Sequence, residues 1–222
     1  MSLKALIVFA KDPAEGRVKT RLAWSLGDDF ATWFYKKCVA NVLNELRKLS
    51  HDIDVYFFSD KGRLQKNNLA KMNFIYRKQN GNDLGERMKN SFAEVFNDGF
   101  RKALIIGADI PDISCKMLEE AFGLLDESDV VLGPSKDGGY YLLGMKEQNN
   151  FLFSGIDWGS KKVLTQTLHK LNEKRRKIKI LKKLNDIDTK ADLEYWLKNE
   201  VDSKLKAIVK SEYKKLKEKG WI

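Results

Sequence analysis

The chain predicts one α/β domain: a mixed, mostly parallel sheet with helices on both faces. Short β-branched apolar runs alternate with amphipathic helical patterns over the first 135 residues, as in strands joined by helical crossovers. Two closely spaced strand patterns flank DGG, Asp137 to Gly139, which makes the sheet mixed. The length of 222 residues, 43% of them hydrophobic, is enough for a full core, and no repeat or low-complexity linker divides it.

The elements follow in order. LKALIVFA, Leu3 to Ala10, is a buried strand that stops abruptly at polar residues. Asp28 to Leu49 is a helix with Phe30, Phe34, Cys38, Val42, Leu46 and Leu49 three or four apart, and Asp28 or Asp29 can cap it. IDVYFFS from Ile53 and NFIY from Asn73 are strands. Leu84, Met88, Phe92, Val95 and Phe96 form a helical stripe ending near Gly99. ALIIG, Ala103 to Gly107, is a strand, then comes a helix from Ser114, its cap, to Leu125. DVVL from Asp129 and YYLLG from Tyr140 are strands. A helix near Lys161 to Leu171, a strand from Lys177 to Leu181, and helices over 189–199 and 201–218 complete the reading.

The net charge of +10 belongs mainly to the tail: from Lys170 onward there are 17 Lys and Arg against 9 Asp and Glu. We divide the chain into a domain over 1–199 and a basic helix over 200–222 packed on it or extending from it. Lysines spaced among aliphatics form a solvated face, and the tail lacks the interleaved aromatics that stack on bases, so a nucleic-acid partner is not expected. The tail is expected to be dispensable for ligand binding. Cys38 and Cys115 fall on helix faces and predict no disulfide framework, which fits a reducing cytoplasm. His51 and His169 lie too far apart in sequence to suggest a zinc site. The apolar run interrupted at Lys11 is too short for a signal segment or a membrane span.

Three loops carry the chemistry, each beyond the end of a predicted strand, where doubly wound sheets bind ligands. In FAKDPAEGRVKTRL, Lys11, Arg17, Lys19 and Arg21 would repel one another without an anion between them, so the loop suits phosphate oxygens. Its spacing is neither GxxxxGK[ST] nor GxGxxG. In GADIPD, Asp109 can hold a hard cation, or serve only the turn. In NDIDTKADL, Asp188 can supply a second carboxylate and Thr189 can cap a helix.

Together with QNGNDLGERM, GPSKDGGYYLLG and IDWGS, these blocks resemble, in order and over Leu3 to Leu193, a bacterial family of glycosyltransferase-A-like proteins. Its members are described as nucleotide-diphospho-sugar transferases, are associated in places with arsenosugar biosynthesis, and look related to cofactor guanylyltransferases. The resemblance implies a nucleotide-diphospho-sugar transferase fold, a bound nucleotide and Mg²⁺ or Mn²⁺. It places Lys11, Arg17, Lys19 and Arg21 around phosphates, and Gln79, Gly81, Asp83 and Leu84 near base and ribose. Asp109 and Asp188 flank the metal; Lys190 stands where the related motif often has proline. Asp137, Gly138, Gly139 and Tyr140 form the acceptor floor, with Asp137 as a base, while Asp157 and Trp158 form a wall. For these last residues a hairpin turn and ordinary packing are equally good explanations.

Two activities fit: glycosyl transfer from a nucleotide-diphospho-sugar to a small-molecule acceptor, which we take first, and transfer of NMP from an NTP to a phosphorylated acceptor. Non-catalytic binding of a nucleotide or RNA is the reading from another class.

Overall fold

The structure, a computed structural model, describes residues 3–61, 74–199 and 203–218. Its seven-stranded sheet runs in the order β3-β2-β1-β4-β6-β5-β7. The strands are β1 (Lys4–Ala10), β2 (Ile53–Ser59), β3 (Ile75–Lys78), β4 (Lys102–Gly107), β5 (Val130–Pro134), β6 (Tyr140–Met145) and β7 (Ile178–Ile180). Only β6 runs antiparallel to its neighbours, β4 and β5. The expected mixed, mostly parallel sheet is therefore observed, and the DGG segment is the turn that reverses the chain. Asn73, where the third strand was expected to begin, lies outside the described residues.

Among the described residues seven α-helices accompany the sheet: α1 (Thr20–Leu26), α2 (Asp28–Leu46), α3 (Leu84–Asn97), α4 (Cys115–Glu127), α5 (Val163–Glu173), α6 (Lys190–Asn199) and α7 (Lys204–Glu218). Strand side chains alternate between faces. Leu6 and Val8 of β1 pack with Val42 of α2 and Leu118 of α4, whereas Ala5 and Ile7 pack with Phe92 of α3 and Leu171 of α5. Ser114 caps α4 through its side chain, as expected. The cap of α2 is Gly27, and Asp28 and Asp29 fall inside its first turn, where acidic side chains suit the helix dipole.

α2 also departs from its expected stripe. Val42 and Leu46 face the sheet, but Phe30, Phe34 and Cys38 belong to a separate cluster with Trp196 of α6 and Leu205, Val209, Tyr213 and Leu216 of α7. A helix covered on two sides shows no clean apolar stripe. The lysine-rich tail thus contributes an apolar face to an outer layer over α2. Among the described residues no helix is long and apolar enough to cross a membrane.

Candidate functional site

The carboxyl ends of β1, β4, β5 and β7 and the start of antiparallel β6 open on one edge, beside the place where strand order reverses around β1. The opening stretch leaves β1 here, but part of the expected loop is helical: α1 begins at Thr20, with Leu22 and Leu26 buried four residues apart. Arg17 and Arg21 remain exposed. Lys11 is exposed as well, and its backbone is fixed by the buried Tyr35, whose hydroxyl accepts from Lys11 N at 2.8 Å and donates to Lys11 O at 2.9 Å.

Lys19 has turned inward. Its side chain is 2% exposed, and its Nζ lies 2.9 Å from Asp109, 3.0 Å from Asp186 and 3.3 Å from Asp188. Its backbone sits at φ 47°, a left-handed conformation rare outside glycine. Such strain persists where the surroundings over-determine it. Arg21 approaches Asp188 at 3.9 Å from the solvent side. Asp109 and Asp188, expected to converge, do so, and they meet at an ammonium.

One ammonium among three carboxylates compensates them unequally. Burial alone would lower the Lys19 pKa, but the surrounding carboxylates outweigh it and hold it well above its ordinary value. Burial works against the Asp109 carboxylate, yet Lys19 keeps its pKa below the usual range. Asp186 is pushed up to about 6, first by burial and then by repulsion from Asp109 and Asp188, despite Lys19. A folded carboxyl that keeps its proton to about pH 6, when the free one loses it near 3.8, makes stability fall as pH rises through that window. Asp186→Asn removes this loss. Between about pH 4 and about pH 6 the variant should gain about 1 to 3 kcal/mol on the wild type in urea unfolding, since one pKa unit is about 1.4 kcal/mol.

Sequence reasoning missed Asp186. The signal open to it was the alternation Asp-Ile-Asp: Ile187 is fully buried, and the aspartates on either side both reach the Lys19 ammonium. Two hydrogen bonds from Trp196 Nε1 to Asp112, at 2.9 and 3.0 Å, tie the Asp109 loop to α6 just beyond Asp188. Asp192 accepts from the Thr189 amide and hydroxyl, while Thr189 Oγ1 accepts from Asp192 N, so Thr189 does serve the start of α6.

The remaining candidates are placed as follows. Gln79 donates its amide to the carbonyls of Ala10 and Phe58 at 3.1 and 3.2 Å, tying the β3 end to β1 and β2. Asp83 caps α3 by accepting from Glu86 N, with Gly81 and the exposed Leu84 alongside. Asp137 accepts from Gly139 N at 3.0 Å and from the Ser135 hydroxyl, and so organises the β5–β6 turn. Asp157 pairs with Gln166 near the surface. Trp158 covers Gly85, where a Cβ would stand 2.2 Å from the indole Nε1.

Two cavities meet at this edge. A cleft of about 540 Å³ is lined by Arg21, Lys136, Lys161, Asp186, Asp188 and Tyr195 among others. A smaller one of about 220 Å³ is walled by Leu84, Met88, Tyr140 and Trp158, and Asp137 and Asp186 line both. Gly138 holds the boundary: its φ is +95° and a Cβ there would lie 2.3 Å from the Lys161 carbonyl oxygen. Gly138→Ala should therefore cost about 1 to 3 kcal/mol, the range for a side chain forced into such a conformation, measured by urea unfolding.

The full chain is similar to a protein of Desulfovibrio desulfuricans G20, provisionally named a nucleotide-diphospho-sugar transferase: 32% identity, 97% of each chain covered, TM-score 0.89. It is 33% identical over 135 residues to a 2-phospho-L-lactate guanylyltransferase of Methanocaldococcus sp. (strain FS406-22), which covers 60% of this chain and 55% of that protein. The chain thus spans little more than half the length of that curated relative. At 17% identity and a TM-score of 0.57, the inositol-1-phosphate CTP transferase of T. maritima shares the fold. Residues 43–160 match the model of a family described as "Uncharacterized protein conserved in bacteria (DUF2064)", and the chain belongs to that family.

Proposed function

We propose that this chain is a nucleotide-dependent transferase that moves the glycosyl group of a nucleotide-diphospho-sugar to a small-molecule acceptor. The observation that carries this reading is the meeting of two unlike cavities, one lined by charged groups and one walled by aromatic and apolar side chains, across Asp137 and Asp186. A donor that joins a charged diphosphate to a compact ring needs that contrast. Charge grows on the departing phosphate as the bond breaks, so Arg17 and Arg21 would stabilise the transition state more than the ground state. Asp137, at the boundary, would take a proton from an acceptor. Gly81 and Leu84 remain candidates for the base and ribose, with Gln79 and Asp83 holding their loop in shape.

A divalent ion is part of the proposal. Asp109, Asp186 and Asp188 offer the hard oxygen donors that Mg²⁺ or Mn²⁺ prefers. Among the described residues no group of three or more His, Cys, Asp or Glu forms a ready-made metal centre. Mg²⁺ takes one or two carboxylates and completes its shell with phosphates and water. Asp109 and Asp188 would hold the ion, with Asp186 beside them, and it would neutralise phosphate charge.

The names of the Methanocaldococcus relatives favour a second reading, transfer of a nucleotidyl group from an NTP to a phosphorylated acceptor. Fold alone does not separate the two. Thermal shift with NTPs and nucleotide-diphospho-sugars, with and without Mg²⁺, tests the common part, because a ligand of the folded state raises its stability. Released nucleoside diphosphate then marks glycosyl transfer, and released pyrophosphate nucleotidyl transfer. A chain stabilised by no nucleotide under any of these conditions would overturn both.

A further inference from the structure

We infer that the Lys19 ammonium competes with a divalent cation for Asp109, Asp186 and Asp188, and so holds the free chain closed to such an ion. The inference rests on the metal part of the transferase reading above and concerns how that ion gains entry. An ammonium has three N–H donors and no acceptor. Here it meets one oxygen of each carboxylate: Asp109 Oδ2 at 2.9 Å, Asp186 Oδ1 at 3.0 Å and Asp188 Oδ1 at 3.3 Å. Donors and partners are therefore matched in number. Arg21 reaches only Asp188, at 3.9 Å and from an exposed position, so the main rival of an incoming ion is Lys19.

A divalent ion needs the same oxygens. Mg²⁺ bonds oxygen at about 2.0 to 2.1 Å, so an ion on any oxygen that Lys19 touches would stand within about 5 Å of Nζ. Like charges that close repel strongly where water is scarce. The three carboxylate side chains are between 24% and 37% exposed and the lysine side chain only 2%. An ion can thus reach the carboxylates from the cleft, but little water screens it from the ammonium. Entry requires the lysine to yield, and only its side chain has to move. The Lys19 carbonyl stays bonded to Ala23 N at 2.9 Å at the start of α1, while the four-carbon stem is flexible. Phosphate oxygens would give the ion ligands that Lys19 does not share. On the transferase reading, ion and nucleotide therefore enter together.

The test titrates Mn²⁺ alone, without nucleotide, into the full chain and reads the free ion by electron paramagnetic resonance. Lys19→Met should bind Mn²⁺ about tenfold to a thousandfold more tightly than wild type, the span of one unit charge at close range between watery and partly buried surroundings. Lys19→Arg, which keeps the charge, should stay near wild type. Lys19→Met/Asp109→Asn should lose the gain. Because loss of the ammonium destabilises the fold, Lys19→Met/Asp186→Asn is measured beside it. That variant removes one charge of each sign, and it should also bind Mn²⁺ more tightly than wild type. Equal affinity of wild type and the two charge-removing variants, an equal gain in Lys19→Arg, or a gain that survives Asp109→Asn would each overturn the inference. A chain that no nucleotide stabilises, yet whose Mn²⁺ affinity follows the Lys19 charge in this way, would overturn the transferase reading and leave the inference standing.

Discussion

Removal of the residues after Asn199 is expected to leave a chain that does not fold cooperatively at 37 °C. α7 seats Leu205, Val209, Tyr213 and Leu216, all buried, against Phe30 and Phe34 of α2 and Trp196 of α6. A fully buried side chain of this size contributes about 1.5 to 3 kcal/mol. Four of them approach the whole stability of a typical domain, about 5 to 15 kcal/mol. The truncated chain would also expose Phe30, Phe34 and Trp196 together, an invitation to aggregate. Thermal unfolding with circular dichroism, compared with the intact chain, checks this. A truncated protein that melts within a few degrees of the intact one would show that the α2–α7 cluster contributes little. The sequence pattern suggested only that the tail is dispensable for ligand binding, and its many lysines hide an apolar face four side chains wide.

Lys19→Met should destabilise the fold by about 2 to 4 kcal/mol, somewhat below the cost of breaking a fully buried ion pair, because the three carboxylates keep partial access to water. The methionine preserves most of the stem, so the loss measures charge more than packing. Its pH dependence has a definite sign. Without the ammonium the buried carboxyls of Asp109 and Asp186 hold protons to higher pH than unfolded ones do, so the variant loses stability as pH rises above about 4. The gap between wild type and variant should be widest near neutrality and narrow below about pH 4, in urea unfolding at each pH. A gap that does not change with pH would assign the loss to packing.

The framework was readable because each central strand is a continuous apolar run. LKALIVFA and ALIIG become β1 and β4 at the middle of the sheet, and Ser114 caps α4 as its position before an amphipathic stripe suggested. α1 was not readable as a helix, since only Leu22 and Leu26 mark its buried side and Trp24 is 84% exposed. The site was legible in its parts more than in its arrangement. GADIPD and NDIDTKADL do bring Asp109 and Asp188 together, but nothing local to FAKDPAEGRVKTRL tells Lys19 to point away from Arg17 and Arg21. That choice follows from a left-handed backbone at one residue and from carboxylates at least 90 positions away in the chain.

The Trp196–Asp112 contact has a mechanical consequence. One indole N–H bridges two segments 84 residues apart, and those segments are the bases of the two arms that carry Asp109 and the Asp186–Asp188 pair. The distance between the arms is therefore set from behind, by a fully buried ring wedged against Phe34. Side chains at the mouth of the cleft can vary in reach and charge without altering that spacing. The molecule thus separates the tuning of what enters the cleft from the gauge of the carboxylates at its floor.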